Sequence, residues 1–457
     1  MSKDIDFLIF YEVKNREFEN IVLLRNELVR RKYNVEYVSF FERHDCRVIN
    51  NFKNRVRVAV MPSLYHTKEV IDIVYKIAGK VDYIVNLRWE QVFRNATEIN
   101  MNYYAYPTGV ARGAIHCCWG ERAKNLLIQA GVKKDNLVVT GAITLDFLRK
   151  DFDGYYLSKS KLFEKYNITD DKPVILFVSS FSFSTMSKRD FNGYLSTIIN
   201  EEEKNRLVNF VKVEERSREK IHQWLIELND TLDCTIIYRP HPVEVYGDGI
   251  EKLQQNGIFV IRDENIKQWF KCCDQVYMWY STSAAEAYAA NVKFAILRPE
   301  QIPDGEDLPI YKNVKFIDNY ELFSKVVKNN ALIEGHTINM DSMNDYYSIT
   351  ELPAYIRTAQ LLSEVYSGDK CPKFSWEGID TKYFLCLFVE EIVDFCRKMI
   401  VDMLYVLLKK NILFGFVKRK ICNRLKKRED FYLRRLISVV EFESMQTKLF
   451  DYMKNYK

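Results

Sequence analysis

The chain lacks the marks of several common protein classes. No run of about 18 apolar residues occurs, so no membrane-crossing helix is expected. The ten cysteines include the adjacent pairs Cys117-Cys118 and Cys272-Cys273 but no CxxC spacing. The six histidines are scattered. A zinc site built by the chain is thereby disfavoured. All ten thiols read as reduced and mostly buried, as in a cytosolic protein. Internal repeats and low-complexity segments are absent. Met1-Ser2-Lys3-Asp4 leads straight into an apolar run, so no secretory leader is expected. The first βα turn, Tyr11-Glu12-Val13-Lys14-Asn15-Arg16, has no GxGxxG, which argues against a dehydrogenase. Net charge is only +5 over 457 residues, so charge gives no reason to expect a nucleic-acid partner.

What is present is an ordinary globular composition, 47% apolar and 28% charged, long enough for two or three domains. Apolar β-rich runs alternate with helical spacing through residues 1–150: Ile5–Phe10, Asn34–Phe40, Val56–Met61, Tyr83–Leu87, Ala114–Trp119 and Leu137–Thr140. Helices are expected at Phe18–Arg31, Lys68–Ala78 and Glu121–Ala130, the last closed by Gly131. This alternation implies a doubly wound parallel sheet. Residues 150–170 are polar without a clear period and read as a linker. A second βα series over 171–366 has strands at Val174–Val178, Cys234–Tyr238, Ile258–Ile261, Gln275–Tyr280 and Val292–Leu297. A long charged helix, Glu201–Asn229, interrupts it. A helix near Tyr355–Tyr366 is read as folding back toward the first domain.

Residues 380–457 change character. Leu385, Phe388, Ile392, Cys396, Met399, Met403 and Val406 recur at helical spacing. Glu390, Glu391, Asp394, Arg397 and Lys398 fall opposite. A basic block follows: Lys409, Lys410, Lys418, Arg419, Lys420, Arg424, Lys426, Lys427, Arg428, Arg434 and Arg435, interleaved with Phe414, Phe416, Phe431 and Tyr432. Such a segment suits an anionic membrane surface. The alternative is a helical tail packed on the rest of the chain or on another subunit.

The candidate chemistry sits at strand ends, where open α/β sheets bind ligands. In Arg239-Pro240-His241-Pro242 the prolines end the strand. His241 can then offer a ring N–H to a phosphate oxygen, and Arg239 a charge-assisted contact. Otherwise the segment is a turn with a solvent-facing histidine. Ser281-Thr282-Ser283 opens a helix whose free amides and hydroxyls suit an anion, or is a plain N-cap. Glu286, one turn in, can accept from ribose hydroxyls or serve as an ordinary first-turn glutamate. Ser180 and Ser182, in the loop Ser179–Thr185, can line the same site. Glu90 follows a strand beside Trp89, where a raised pKa would suit a general base. The alternative is a surface carboxylate paired with Arg88. His66 and His44 are further candidates for that role.

The pattern resembles a GT-B glycosyltransferase. That resemblance implies two Rossmann-like domains facing a cleft, the donor nucleotide on the C-terminal domain and the acceptor on the N-terminal one. Cys118-Trp119-Gly120-Glu121 and Val139-Thr140-Gly141-Ala142-Ile143-Thr144-Leu145-Asp146 are similar to the segment closing the N-terminal domain in that superfamily. Ala142-Ile143-Thr144 stands where many relatives carry Asn-Pro. The Arg-Pro-His-Pro and Ser-Thr-Ser-x-x-Glu-Ala pair is similar to CDP-glycerol transferases, capsule Kdo transferases and HP-motif sialyltransferases of bacterial surface-polysaccharide synthesis. By resemblance His241 and Ser281–Ser283 would bind donor phosphate, and Glu286 the ribose. No D/E-D/E-G motif of the sialyltransferase kind occurs in the first domain.

The expectation is therefore a two-domain α/β (GT-B) chain with a C-terminal amphipathic helical extension. It would be a metal-independent transferase moving a sugar or alditol phosphate from a CMP-, CDP- or UDP-linked donor, with no cofactor. The acceptor would be a lipid-linked or growing glycan, and the protein peripheral on the cytoplasmic membrane face, possibly as a homo-oligomer. His241, Arg239 and the Ser281 cluster would stabilise the departing phosphate, and Glu90 would take the acceptor proton. The alternatives are a nucleotide-sugar 2-epimerase of the same fold and a non-catalytic scaffold of a polysaccharide assembly complex.

Overall fold

A computed structural model describes residues 3–101, 103–198, 200–369, 372–409, 426 and 435–453. The first sheet has six parallel strands: β1 Ile5–Tyr11, β2 Val35–Ser39, β3 Val56–Met61, β4 Tyr83–Asn86, β5 Ile115–Cys118 and β6 Leu137–Val139. Their order is β2-β1-β3-β4-β5-β6. The second has five parallel strands: β7 Val174–Val178, β8 Thr235–Arg239, β9 Phe259–Val260, β10 Gln275–Met278 and β11 Lys293–Ile296, in the order β11-β10-β7-β8-β9. Strand β7 is buried at every residue, as expected for a parallel strand covered on both faces. The expected strands all form, each within two residues of its anticipated ends.

Helices cover both sheets. The long charged helix runs Glu201–Thr231. It buries Leu207, Phe210, Ile221, Leu225 and Leu228 in the second core, beside Phe177, Tyr238 and Tyr277. The expected Lys68–Ala78 helix forms with a π stretch at Val70–Tyr75. Gly131 takes φ +85° after the Glu121–Gln129 helix, the left-handed stop anticipated there.

The molecule divides into two compact units that differ from the simple cut at 150. The first comprises residues 1–91, 101–144 and 347–457, the second 92–100 and 145–346. Three segments explain this. Residues 92–100 belong with the second unit because Asn95 N–H donates to the Asp307 carbonyl at 2.9 Å, Ala96 N–H to Gly305 at 2.7 Å, and Tyr346 OH to buried Glu98 at 2.6 Å. The stretch read as a linker is ordered instead: a helix spans Lys159–Tyr166, with Leu162 and Phe163 buried. The Ala354–Ser367 helix folds back to pack with the first unit. The chain arrives there through Ser348 N–H on the Trp119 carbonyl, 2.6 Å. Gly141, at φ +80°, lies so close to Arg357 that a Cβ would meet its guanidinium at 2.3 Å.

The last 80 residues split in behaviour. The helix Thr381–Lys409 is tied to the first unit by Asp394 on Lys76 (3.2 Å) and His44, by Glu390 on Lys68 (3.4 Å), and by Phe384 against Tyr75. Its apolar stripe is turned to solvent: Leu385, Phe388, Ile392, Met399, Met403 and Val406 are each about half exposed or more. The helix Val439–Met453 packs on the first unit: Phe442 stacks on Tyr37 at 4.5 Å, and Ile437 N–H donates to Tyr11 OH at 3.0 Å. The basic block lies outside the described residues except Lys409, Lys426 and Arg435. Phe414, Phe416, Phe431 and Tyr432 lie outside them too. No described helix is long and apolar enough to cross a membrane. Among the described residues, Cys117, Cys118, Cys234, Cys272, Cys273, Cys386 and Cys396 are free thiols.

Candidate functional site

The order of the second sheet reverses between β7 and β10. Ligands of open α/β sheets sit outside the strand ends at such a point. Val178 pairs in register with Arg239 on one side and with Met278 on the other. Three loops therefore leave one edge together: Ser179–Thr185, Pro240–Gly247 and Trp279–Ser283. The backbone ties two of them, since Tyr280 N–H donates to Ser180 Oγ at 3.2 Å. Ser182 lies in the same loop, its carbonyl accepting from Thr185 Oγ1.

His241 is held by its own turn. Its backbone N–H donates to Glu244 Oε2 at 3.0 Å, and its Nδ1 accepts from Val243 N–H at 3.4 Å. In the neutral ring Nε2 is then the N–H donor. Burial, and secondarily the Arg262 charge, holds the imidazole below its usual range. The residue that builds the turn is Glu244, which is buried. It accepts from Ser179 Oγ at 2.5 Å and from Tyr238 OH at 2.6 Å. Burial raises its carboxyl, and these donors oppose the rise. Tyr238 OH also lies 3.1 Å from His222 Nε2, whose ring burial lowers to about 3. A cavity of about 320 Å³ opens on the far flank of this turn, lined by Ser184, Thr185, Arg218, His222, Glu244 and the 245–250 loop. Glu244 was not among the expected residues. Its signal was the spacing: a carboxylate three residues after His241 can reach back to that residue's amide, as in a capping box.

The two arginines exchange roles. Arg239 donates to the Asp263 carbonyl at 2.7 Å and the Glu264 carbonyl at 2.5 Å, and burial lowers its pKa to about 10. Its guanidinium braces the loop after β9 rather than standing open for phosphate. The charge felt by His241 comes from Arg262. Arg262 donates to the Glu244 carbonyl at 2.5 Å and lies 4.6 Å over the Tyr246 ring. Its buried Nε has no partner among the described residues.

The Ser281–Ser283 segment is more self-satisfied than its sequence suggests. The helix it opens spans only Ala284–Ala289, and Ser283 makes no side-chain cap bond to it. The amides of Ala284, Ala285 and Ala287 donate to the Ser281, Thr282 and Ser283 carbonyls, so the expected row of free amides is largely engaged. Tyr311 clamps Ser281, accepting from its N–H at 3.0 Å and donating to its carbonyl at 2.7 Å. Thr282 is exposed. Glu286 is raised by burial, with the Lys267 charge opposing.

The first-unit candidates do not form one cluster. The Glu90 side chain is 60% exposed and ion-paired with Arg16, which also holds buried Glu17 at 2.6 Å. The apolar shelter expected for it is absent: Trp89 is buried while Glu90 stands in solvent, and its partner is Arg16 rather than Arg88. His66 Nδ1 meets Thr108 Oγ1 at 2.9 Å, and His44 pairs with Asp394. Among the described residues no group of three or more His, Cys, Asp and Glu is placed to hold a metal ion.

No protein-family profile matches the chain, and no curated protein matches it by sequence. Among solved structures it is similar to the wall teichoic acid polymerase TagF, at 11% identity and a TM-score of 0.50, over 79% of this chain and 90% of that one. The chain has the GT-B fold. It is also similar to a UDP-GlcNAc 2-epimerase from Neisseria meningitidis bound to UDP-GlcNAc, at 13% identity and a TM-score of 0.47, over 79% and 100% of the two chains. A putative UDP-N-acetylglucosamine 2-epimerase from Listeria monocytogenes gives 13% and 0.47, over 81% and 98%. At such identities the likeness speaks to the fold alone. Within this GT-B fold the expected donor residues come to one sheet edge in the second unit.

Proposed function

We infer that the protein is a nucleotide-dependent GT-B transferase. It moves a glycosyl or alditol-phosphate unit from a CMP-, CDP- or UDP-linked donor onto a lipid-linked or growing glycan. The observation that carries this reading is the convergence of three polar loops on the switch point of the second sheet, with the His241 ring and Arg262, whose Nε has no partner among the described residues, as its candidate donors. A diphosphate there accepts from His241 Nε2–H, from Arg262 and from the Thr282 hydroxyl. These groups stabilise negative charge as the nucleotide departs. Glu286 serves the ribose, and Glu90 is the carboxylate offered to the acceptor proton.

A nucleotide-sugar 2-epimerase would use the same diphosphate-binding edge. The solvent-facing apolar stripe of the Thr381–Lys409 helix favours the transferase, because a lipid-linked acceptor needs an enzyme at the membrane surface. The stripe and the basic block after it would dock that surface together. The first experiment is a thermal-shift screen with CMP, CDP, UDP, UDP-sugars and CDP-glycerol, on wild type and His241→Ala. One nucleotide is expected to stabilise wild type and not the variant. Turnover of that donor is then followed with and without membrane vesicles. Consumption without acceptor, giving a 2-epimer, replaces the transferase by the epimerase. No nucleotide response at all leaves the scaffold reading.

A further inference from the structure

The first unit contains a buried cation with no anion beside it among the described residues. Arg88 follows β4 and is 1% exposed. Its Nε and Nη1 have no hydrogen-bond partner among the described residues. The groups it feels most are the Cys118 thiol and the Tyr65 and Tyr106 hydroxyls. Burial pushes Cys118 up to about 12 and raises Tyr65 far above the usual phenol range, so neither is an anion at ordinary pH. His116 carries no charge either, since burial and then the Arg88 charge lower it to about 3. A guanidinium out of water without an anion is strongly unfavourable.

The backbone is built to keep it there. Arg88 adopts φ +50°, a left-handed conformation unusual for a residue with a long side chain. Asn86 Oδ1 accepts from the Arg88 N–H at 3.2 Å, and Gln91 Nε2 donates to its carbonyl at 2.9 Å. Asn86 is itself locked to His116 Nδ1 at 3.1 Å, and Gln91 to the Cys117 carbonyl at 3.0 Å and the Trp119 N–H at 2.8 Å. Local strain held by dedicated partners points to use rather than accident. The Tyr65 hydroxyl lies within the electrostatic reach of both buried Arg88 and exposed Glu90. Tyr65 follows β3, and its ring stands edge-on to Tyr104 at 6.2 Å, a ring 60% exposed to solvent.

We propose that Arg88, with the Tyr65 hydroxyl, forms an oxyanion-binding subsite at the β3–β4 edge of the first unit, taking a phosphate or carboxylate group. The anion supplies the missing counter-charge, and the Tyr65 and Tyr104 rings offer apolar faces to whatever carries it. Assigning that group to an acceptor rests on the transferase reading; the anion site itself does not.

The test is thermal stability and calorimetric binding of the full-length protein against inorganic phosphate and against malonate. The variants are His241→Ala, Arg88→Met and Tyr65→Phe. Phosphate or malonate is expected to stabilise wild type and His241→Ala alike, which separates this site from the donor edge. The stronger anion names the chemistry. Arg88→Met is expected to melt higher than wild type without anion, by about 3 °C, and to lose anion affinity at least about tenfold. Tyr65→Phe, which keeps the cation, is expected to lose about threefold. An anion response unchanged in Arg88→Met, or none with either anion in wild type, overturns the subsite. An Arg88→Met protein too unstable to assay leaves the decision to Tyr65→Phe, where an unchanged affinity has the same meaning.

Discussion

The turn after β8 and the turn after β4 both take charged groups out of water, and they treat them differently. At β8 the charges are matched inside the protein. Glu244 receives the Ser179 and Tyr238 hydroxyls and the His241 amide, and Arg239 is bonded to two carbonyls. At β4 the bonds hold only the backbone, through Asn86 and Gln91, and the Arg88 guanidinium is left over. A satisfied network specifies one turn geometry and presents His241 in it. An unsatisfied cation favours an approaching group of one charge sign only. Under the two proposals, the first site is shaped before its ligand arrives and the second has its electrostatics completed by a ligand.

The largest expected effect breaks the first half of this comparison. Glu244→Ala removes the acceptor shared by two buried hydroxyls and an amide, so unfolding free energy should fall by about 3 kcal/mol, with loss of nucleotide binding. Urea denaturation measures it, and a change below about 1 kcal/mol would mean the network is not what holds the turn. Arg88→Met should do the reverse and raise stability by about 1–2 kcal/mol. If both variants destabilise equally, the two turns are not different in kind.

Acid sharpens the contrast. His116 and His222 are each lowered to about 3 in the folded state, against about 6.5 unfolded. The unfolded chain binds more protons between these values, so stability is complete above pH 6.5 and falls as pH drops toward 3. His116 owes part of its shift to the Arg88 charge; His222 owes none to it. The urea midpoint should therefore fall less steeply between pH 5 and 3, as pH approaches the folded-state value, in Arg88→Met than in wild type. Parallel slopes would show that Arg88 does not act on His116.

The smallest stability effect is expected at Glu90. It is an exposed partner of Arg16, so Glu90→Gln should change stability by less than about 1 kcal/mol. Under the transferase reading its rate should still fall about 100-fold or more. A rate within a factor of a few of wild type would remove Glu90 from the chemistry.

Most of the fold was legible in order and almost none of it in partnership. Periodicity and β-branched runs marked every strand because a parallel strand is apolar on both faces and leaves a dense signal. Pro240 and Pro242 marked the end of β8 because proline cannot continue a ladder. Residues 150–170 misled, since the short helix Lys159–Tyr166 buries only Leu162 and Phe163, too few to set a period. Arg239 was placed at the strand end by sequence, but that its guanidinium braces the Asp263 and Glu264 carbonyls depends on how the loop after β9 returns to β8.

The sequence by itself determined the two parallel sheets, the strand end carrying His241 and the amphipathic character of the Thr381–Lys409 segment, because these follow from local periodicity and from residues that stop a strand. Only the tertiary structure decided that residues 92–100 join the second unit, that the Thr381–Lys409 helix turns its apolar stripe outward, and that Arg88 is buried without a counter-charge among the described residues. Each of those is a relation between residues distant in the chain or a matter of desolvation, and neither is encoded in the spacing of neighbours.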